Sequence, residues 1–201
     1  MVLKLNLGCE NEYLNGWVNL DFNTKVKADI YHDLNKFPWP FKDNSFDIIL
    51  VANVLEYLWN IEFAMKEIYR ISKQDSRIYV SVPHCSNPLK WMELGHKHFF
   101  SYMTFGEWHN NKELYPLFQV LKKKIVFTRI NFQFMNKIMN NFINAVPRFY
   151  ERMFSGIIPS SDIVYILRVR KDKEFQVKKL DFIKKMEKLH PIDNLKFIRE
   201  I

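Results

Sequence analysis

The chain has 201 residues, of which 48% are hydrophobic, so it is long enough to bury one continuous core and gives little reason to expect a second domain. Its formal net charge of +8 is spread without long blocks of like charge, which favours a generally basic surface over a dedicated polyanion site. The two cysteines, Cys9 and Cys85, lack CxxC spacing, so neither a disulfide framework nor a metal site is predicted. Without a secretory signal or an apolar run of about 20 residues, the sequence predicts a cytoplasmic protein with no transmembrane segment.

Short segments rich in β-branched and aromatic residues predict strands along the whole chain. They lie at residues 2–7, 16–20, 45–51, 77–82, 118–130 and 162–170. Apolar residues recur at helical spacing over residues 53–72, so a helix is predicted to connect the third strand to the fourth. A strand, a helix and a further strand of these lengths form a parallel pair. The sequence therefore predicts an α/β fold with a doubly wound, mostly parallel sheet.

A helical insertion is predicted before the last strand, at about residues 131–161, because Met135, Ile138 and Phe142 recur at helical spacing. Pro147 is expected to end this helix, and residues 148–154 are expected to resume as a short second one. The insertion is interpreted as a substrate-selecting lid, a contact in a homodimer, or a peripheral contact with a membrane surface. Residues 1–170 are predicted to form one domain, and 171–201 a basic amphipathic tail.

Ligands of open parallel sheets bind beyond the carboxyl ends of the strands, so the residues that follow each predicted strand are candidates for a site. Gly8 follows the first strand and permits a sharp turn close to a ligand. Asp21 follows the second strand and is suited to accept hydrogen bonds from ribose hydroxyls. Asp33 ends a short extended stretch, where it can accept a hydrogen bond from an adenine amine. Each has a structural alternative as a turn or cap residue, as does Asn53 at the start of the predicted helix.

Five segments in this order resemble the class I S-adenosylmethionine-dependent methyltransferases, in particular a small type 11-like subgroup. They are LNLGCE at 5–10, GWVNLD at 16–21, HDL at 32–34, SFDII at 45–49 and VLEYL at 54–58. The resemblance implies a Rossmann-like methyltransferase fold with S-adenosylmethionine as its cofactor. It implies that the methionine end is lined by Gly8 and Cys9, the ribose held by Asp21 and the adenine by Asp33 and Leu34. Phe22 and Asn53 complete the implied cofactor-binding set, with Asn53 beside the sulfonium.

The sequence departs from the pattern of this subgroup in the loop after the first strand. Glu10 and Glu12 replace customary glycines, Asn6 replaces an acidic residue, and Tyr57 stands where histidine is common. The loop is also short for a parallel crossover, so the first helix of the family is expected to be vestigial. Added carboxylates near a sulfonium either attract the cation or mark a site that no longer binds cofactor.

Two histidines are candidate general bases, His84 directly after the fourth predicted strand and His98, and His84 is preferred. The structural alternative is a hydrogen-bonding loop residue in each case. The favoured function is methyl transfer to a small-molecule acceptor, such as a sugar or metabolite. The alternatives are a cofactor-free binding or scaffold protein and, on the net charge alone, an RNA methyltransferase.

Overall fold

A computed structural model describes residues 2–88, 92–105, 117–128 and 133–171, and these form one mixed α/β body around a seven-stranded sheet. The strands are β1 (Lys4–Leu7), β2 (Val18–Asp21), β3 (Ile30–Tyr31), β4 (Phe46–Ala52), β5 (Ser72–Pro83), β6 (Phe118–Val126) and β7 (Asp162–Val169). The helices are a 3₁₀ helix (Leu55–Tyr57), α1 (Ile61–Ile71), α2 (Gln133–Ala145) and α3 (Pro147–Met153). The strand order is β3-β2-β1-β4-β5-β7-β6, with β7 antiparallel to both its neighbours. The predicted doubly wound, mostly parallel sheet is confirmed.

The main core lies between the central strands and the apolar side of α1. Strand residues such as Leu5, Ile49 and Val80 are almost fully buried, and α1 adds Met65 and Ile68 from the stripe that the periodicity predicted. Burial of this apolar surface is the principal stabilising contribution, at roughly 25 cal/mol per Å² removed from water.

Asparagine side chains replace a helix in the crossover from β1 to β2. Residues 8–17 contain no helix, and the predicted loss of the first helix is thereby confirmed. The Asn6 amide donates hydrogen bonds to the Glu12 carbonyl at 2.9 Å and to the side-chain oxygen of Asn19 at 3.1 Å. Asn19 in turn accepts from the Leu14 N–H and donates to the Leu14 carbonyl. These buried amides satisfy loop backbone groups that would otherwise cost free energy on burial.

The helix predicted over residues 53–72 is wrong over residues 53–60. A 3₁₀ turn comes first, Leu58 is extended, and α1 begins only at Ile61. Asn60 is the cap, since its side chain accepts the Phe63 N–H at 3.0 Å. Asn53, the alternative cap that the sequence offers, has a left-handed backbone at φ +54° and does not cap α1. The predicted strand 77–82 is longer than expected and starts at Ser72.

The insertion consists of α2 and α3, and Pro147 separates them as predicted by starting the second helix. Asn144 of α2 accepts the Ile125 N–H and donates to the Ile125 carbonyl, each at 2.8 Å, so α2 covers the exposed edge of β6. Within the described ranges, every helix is too short or too polar to span a bilayer. Apart from Lys171, the tail predicted at residues 171–201 lies outside the described residues.

Candidate active site at the carboxyl edge of the sheet

Strand register brings the predicted cofactor-binding positions to one edge of the sheet. Leu7 lies opposite Leu20 on one side and Val51 on the other, so β1, β2 and β4 end together. Asp21 pairs with Tyr31, so β3 ends at the same level. We call this rim the carboxyl edge. Asp21 is the last residue of β2, and Gly8, Asp33 and Asn53 follow strands that end there.

Gly8 occupies a position that only glycine fits. Its φ is +62°, and a Cβ built on it would lie 2.5 Å from Cγ2 of Val54. Real Cβ atoms do not approach so closely, and L residues are strained at this backbone angle. The glycine therefore lets β1 turn tightly against the residue that follows Asn53.

Glu10, which stands where the resembled subgroup has a glycine, has a left-handed backbone that glycine adopts more readily than other residues. Its φ is +43°, and its N–H donates to Oδ2 of Asp21 at 2.8 Å. The Asn23 N–H donates to Oδ1 of Asp21 at the same distance, and the Asp21 side chain is almost buried. The Glu10 side chain is exposed. Asp21 thus holds the loop after β1 in the turn, and Glu10 extends its carboxylate away from that contact.

The charge of Glu10 affects the ionisation of Tyr57, the last residue of the 3₁₀ helix. Burial raises the pKa of Tyr57, and the charges of Glu93, Glu56 and Glu10 raise it further. The His96 ring packs edge-on against Tyr57, with centroids 4.7 Å apart. At this end of the carboxyl edge, the phenol of Tyr57 is therefore surrounded by the negative charges of three glutamates. Sequence reasoning missed Glu93 and His96 because only the packing of their loop over the 3₁₀ helix brings them here.

At the other end of the carboxyl edge, Asp33 and Phe22 flank the strand ends. Oδ1 of Asp33 accepts the Asn35 N–H at 2.9 Å, whereas Oδ2 has no hydrogen-bond partner among the described residues. Leu34 is buried, and its carbonyl accepts the indole N–H of Trp39 at 3.1 Å. The Phe22 ring directly after β2 is 75% exposed, which is unusual for a large apolar side chain beside a buried carboxylate.

Cys9 and Asn53 face different surroundings. The Cys9 side chain is buried, its Sγ lies 3.6 Å from the Lys27 carbonyl, and burial raises the pKa of the thiol. Only its backbone remains near the turn. Asn53 is exposed, and its N–H donates to the Ser81 carbonyl at 2.8 Å, which fixes it at the end of β4.

The two candidate bases lie in different settings. His84 is fully buried after β5, its Nε2 donates to Oε1 of Glu151 at 3.0 Å, and its Nδ1 lies 2.7 Å from Oγ of Ser86. Burial lowers the pKa of His84, but Cys85 and Glu151 more than offset this and raise it to about 8. His98 is half-buried and donates from Nε2 to the Leu58 carbonyl at 2.8 Å. His84, Cys85 and Glu151 also have ligand-type atoms within 4.8 Å of one another.

Comparison with known proteins agrees with this geometry. Residues 17–80 match a family described as "Methyltransferase domain". An uncharacterized protein of Methanocaldococcus jannaschii is 39% identical over 66 residues, which cover 33% of this chain but only 26% of that protein. A SAM-dependent methyltransferase from Archaeoglobus fulgidus superposes with a TM-score of 0.55 at 15% identity, over 83% of this chain and 86% of its own. An S-adenosylmethionine dependent methyltransferase from Mesorhizobium loti superposes with a TM-score of 0.55 at 14% identity, over 83% of this chain and 90% of its own.

The chain has the fold of these S-adenosylmethionine-dependent methyltransferases, and residues 17–80 are similar to the methyltransferase-domain family. The family match begins just before β2 and ends within β5, so it includes Asp21, Asp33 and Asn53 but not Gly8. His84, His98 and the insertion also lie beyond the matched segment of the methyltransferase domain. Their placement at or near the carboxyl edge comes from the structure and not from the family pattern.

Proposed function

We propose that this methyltransferase domain binds S-adenosylmethionine at the carboxyl edge and transfers its methyl group to a small-molecule acceptor in the cytoplasm. The observation that supports this most is the Glu10 backbone, which keeps a glycine-like turn and donates its N–H to Asp21. A loop that had lost its function would have no reason to keep a strained residue there, since left-handed geometry costs an L residue about 1–2 kcal/mol.

The residues at the edge fit the adenosyl group. A carboxylate has about four lone-pair sites, and Asp21 uses one on each oxygen for loop N–H groups, which leaves capacity for two ribose hydroxyls. The exposed ring of Phe22 offers an apolar face for the adenine. Oδ2 of Asp33 is an available acceptor for its exocyclic amine.

When bound, the cofactor supplies a methyl group on a positively charged sulfur. The chain's part is to attract that charge and to fix the acceptor in line with it, which can contribute on the order of 7–11 kcal/mol to the lowering of the barrier. The carboxylates of Glu10, Glu56 and Glu93 around Tyr57 provide the attraction. Of the two candidate bases, we propose His98 to face an acceptor, because His84 is fully buried against Glu151. His84 then serves to position the insertion.

Calorimetric titration with S-adenosylmethionine and with S-adenosylhomocysteine tests the proposal. The wild-type chain should bind both ligands. Glu10→Gly should keep the fold, because φ at this position suits glycine, and should bind the neutral-sulfur product relatively better because an attractive carboxylate is lost. Glu12→Gly is the matched control: it removes an exposed glutamate of the same loop that does not contribute to the charge around Tyr57. No heat with either ligand in any of the three proteins would refute cofactor binding.

A cofactor-free binding protein is the second candidate, and the position of Glu10 favours it. Its carboxylate is close enough to Tyr57 to raise the pKa of the phenol, so it lies toward the region that the methionine moiety would occupy. Binding that appears only in Glu10→Gly would support this candidate, since the glutamate would then be the obstruction.

A further inference from the structure

Helix α2 is turned so that part of its apolar stripe faces solvent. Its polar residues Asn140 and Asn144 point inward, where Asn144 bonds the backbone of Ile125 on β6 and Asn140 accepts the N–H of Phe127 just after the strand. Ile143 completes the buried side. A surface helix normally directs its apolar stripe to the core and its polar residues outward, and α2 does this only in part. The arrangement leaves large apolar side chains exposed among the residues that the structure describes.

These side chains form one exposed group, which we call the apolar face of the insertion. Its members are Phe134, Met135, Ile138 and Phe142 on α2 with Phe149 and Met153 on α3. Phe134 is 79% exposed, and the other five are between 46% and 56% exposed. Single exposed apolar residues are ordinary, but a cluster of six on two adjoining helices marks an interaction surface.

The charge around this face has one sign. Lys137, Arg148 and Arg152 are exposed on the same two helices. Residues 133–161 contain a single acidic residue, Glu151, and its carboxylate is turned inward to His84. Basic residues beside exposed phenylalanine and methionine are complementary to a lipid surface, where anionic headgroups lie above apolar acyl chains.

We infer that the apolar face of the insertion docks the protein on the surface of an anionic lipid bilayer. Each basic residue near such a surface strengthens binding roughly fivefold, and the apolar side chains add the energy of leaving water. If a second copy of this chain bound here, two basic faces would meet, and the repulsion between their like charges would weaken the contact. RNA would use the basic residues but would leave the aliphatic ones uncovered.

Docking would place the methyltransferase site next to the lipid surface. Glu151 joins α3 to His84 at the end of β5, and β5 ends at the carboxyl edge beside β4. The inference does not depend on cofactor binding, and it can be tested without any activity measurement.

Flotation of the full chain with vesicles tests the inference. Vesicles of phosphatidylcholine alone are compared with vesicles containing about one third phosphatidylglycerol, at low and high salt. The wild-type chain should float with the anionic vesicles, less so at high salt, and the double variant Phe134→Ser/Lys137→Glu should bind at least about fivefold more weakly. The control Val2→Ser/Lys42→Glu also replaces one apolar residue by serine and one lysine by glutamate, at exposed positions before the amino ends of β1 and β4, and should bind like the wild type.

Other results would overturn the inference. These are the absence of wild-type binding to anionic vesicles, or equal losses in the two double variants. A wild-type dimer that becomes monomeric in Phe134→Ser/Lys137→Glu, without vesicle binding, would assign the face to a second copy. Circular dichroism of both variants shows whether the fold is kept. Should the test variant unfold, Arg152→Glu alone, on the exposed side of α3, must weaken vesicle binding for the inference to stand.

Discussion

Nε2 of His84 lies 3.0 Å from Oε1 of Glu151, and this contact joins the end of β5 to a helix that follows it by more than sixty residues. The same carboxylate oxygen accepts the Tyr102 N–H, so Glu151 fastens three separate segments. The Ser86 N–H donates a hydrogen bond to Nδ1 of the neutral ring, and its Oγ can accept a hydrogen bond from Nδ1–H of the charged ring. The surroundings of His84 can therefore bind both its neutral and its charged ring, and the carboxylate of Glu151 favours the charged ring.

Stability should depend on pH through this pair. The pKa of His84 rises from 6.5 to about 8 on folding, so its contribution is fully present below the unfolded value and is lost as pH rises through about 8. The wild-type free energy of unfolding should exceed that of Glu151→Gln most near pH 6. The difference should shrink by at most about 2 kcal/mol toward pH 9. Urea unfolding followed by circular dichroism at both pH values measures this.

The substitution Glu151→Gln keeps an acceptor for the Tyr102 N–H, so any pH-dependent part of its effect reports on charge. Cys85→Ala is the companion variant, because Cys85 also raises the pKa of His84. A stability difference between wild type and Glu151→Gln that stays constant from about pH 6 to about pH 9 would contradict the raised pKa.

Gly8→Ala should destabilise the protein much more than Gly16→Ala. Both glycines have positive φ, at +62° and +79°, so each substitution introduces left-handed strain of about 1–2 kcal/mol. Only the Gly8 Cβ meets a neighbour, with Val54 at 2.5 Å, which should add about 1–3 kcal/mol. Unfolding free energies of the two variants give the comparison. Val54→Ala in the Gly8→Ala background should recover part of the loss, and equal losses at the two glycines would contradict the tight packing.

Asp21→Asn should weaken S-adenosylmethionine binding by at least about tenfold. A hydrogen bond from a hydroxyl to a charged carboxylate contributes about 1.5–3 kcal/mol. Asparagine is uncharged and offers one acceptor oxygen in place of two. The amide must also meet one of the two loop N–H donors with its own NH₂ group. Calorimetry measures the affinity, and Asp29→Asn, directly before β3, is the control because Asp29 also accepts a backbone N–H, that of Asn19. Unchanged affinity in Asp21→Asn would remove this residue from the proposed ribose site.

The sequence was sufficient to predict the sheet and the edge that gathers Gly8, Asp21 and Asn53, because strand alternation and the topology of parallel sheets are local or general rules. It was insufficient to place the start of α1. Asn53 and Asn60 have the same capping chemistry, and the choice between them involves the bond from the Trp59 N–H to the side chain of Asn35. That contact joins residues 24 positions apart and leaves no periodic pattern.

Some side chains of the candidate site can be placed from the sequence, and others cannot. Motif residues such as Asp21 can be placed from their strand, but the partner of His84 cannot, because the insertion packs back over 67 positions. Asn6 looked like a departure from the family pattern. The structure gives it a local reason, since its amide supports a crossover that has no helix.

Asn144→Ala should destabilise the protein by about 1–3 kcal/mol, because it leaves the Ile125 N–H and carbonyl without the partners that Asn144 supplies. It should also raise the tendency to aggregate, since β6 is the last strand of the sheet and would present an uncovered edge. Asn141→Ala changes an exposed residue of the same helix and should alter stability by less than about 0.5 kcal/mol. Thermal unfolding and light scattering of the two variants measure both effects. Similar behaviour of Asn144→Ala and Asn141→Ala would show that α2 does not protect the edge, because then the asparagine bonds to Ile125 would contribute nothing that water cannot replace.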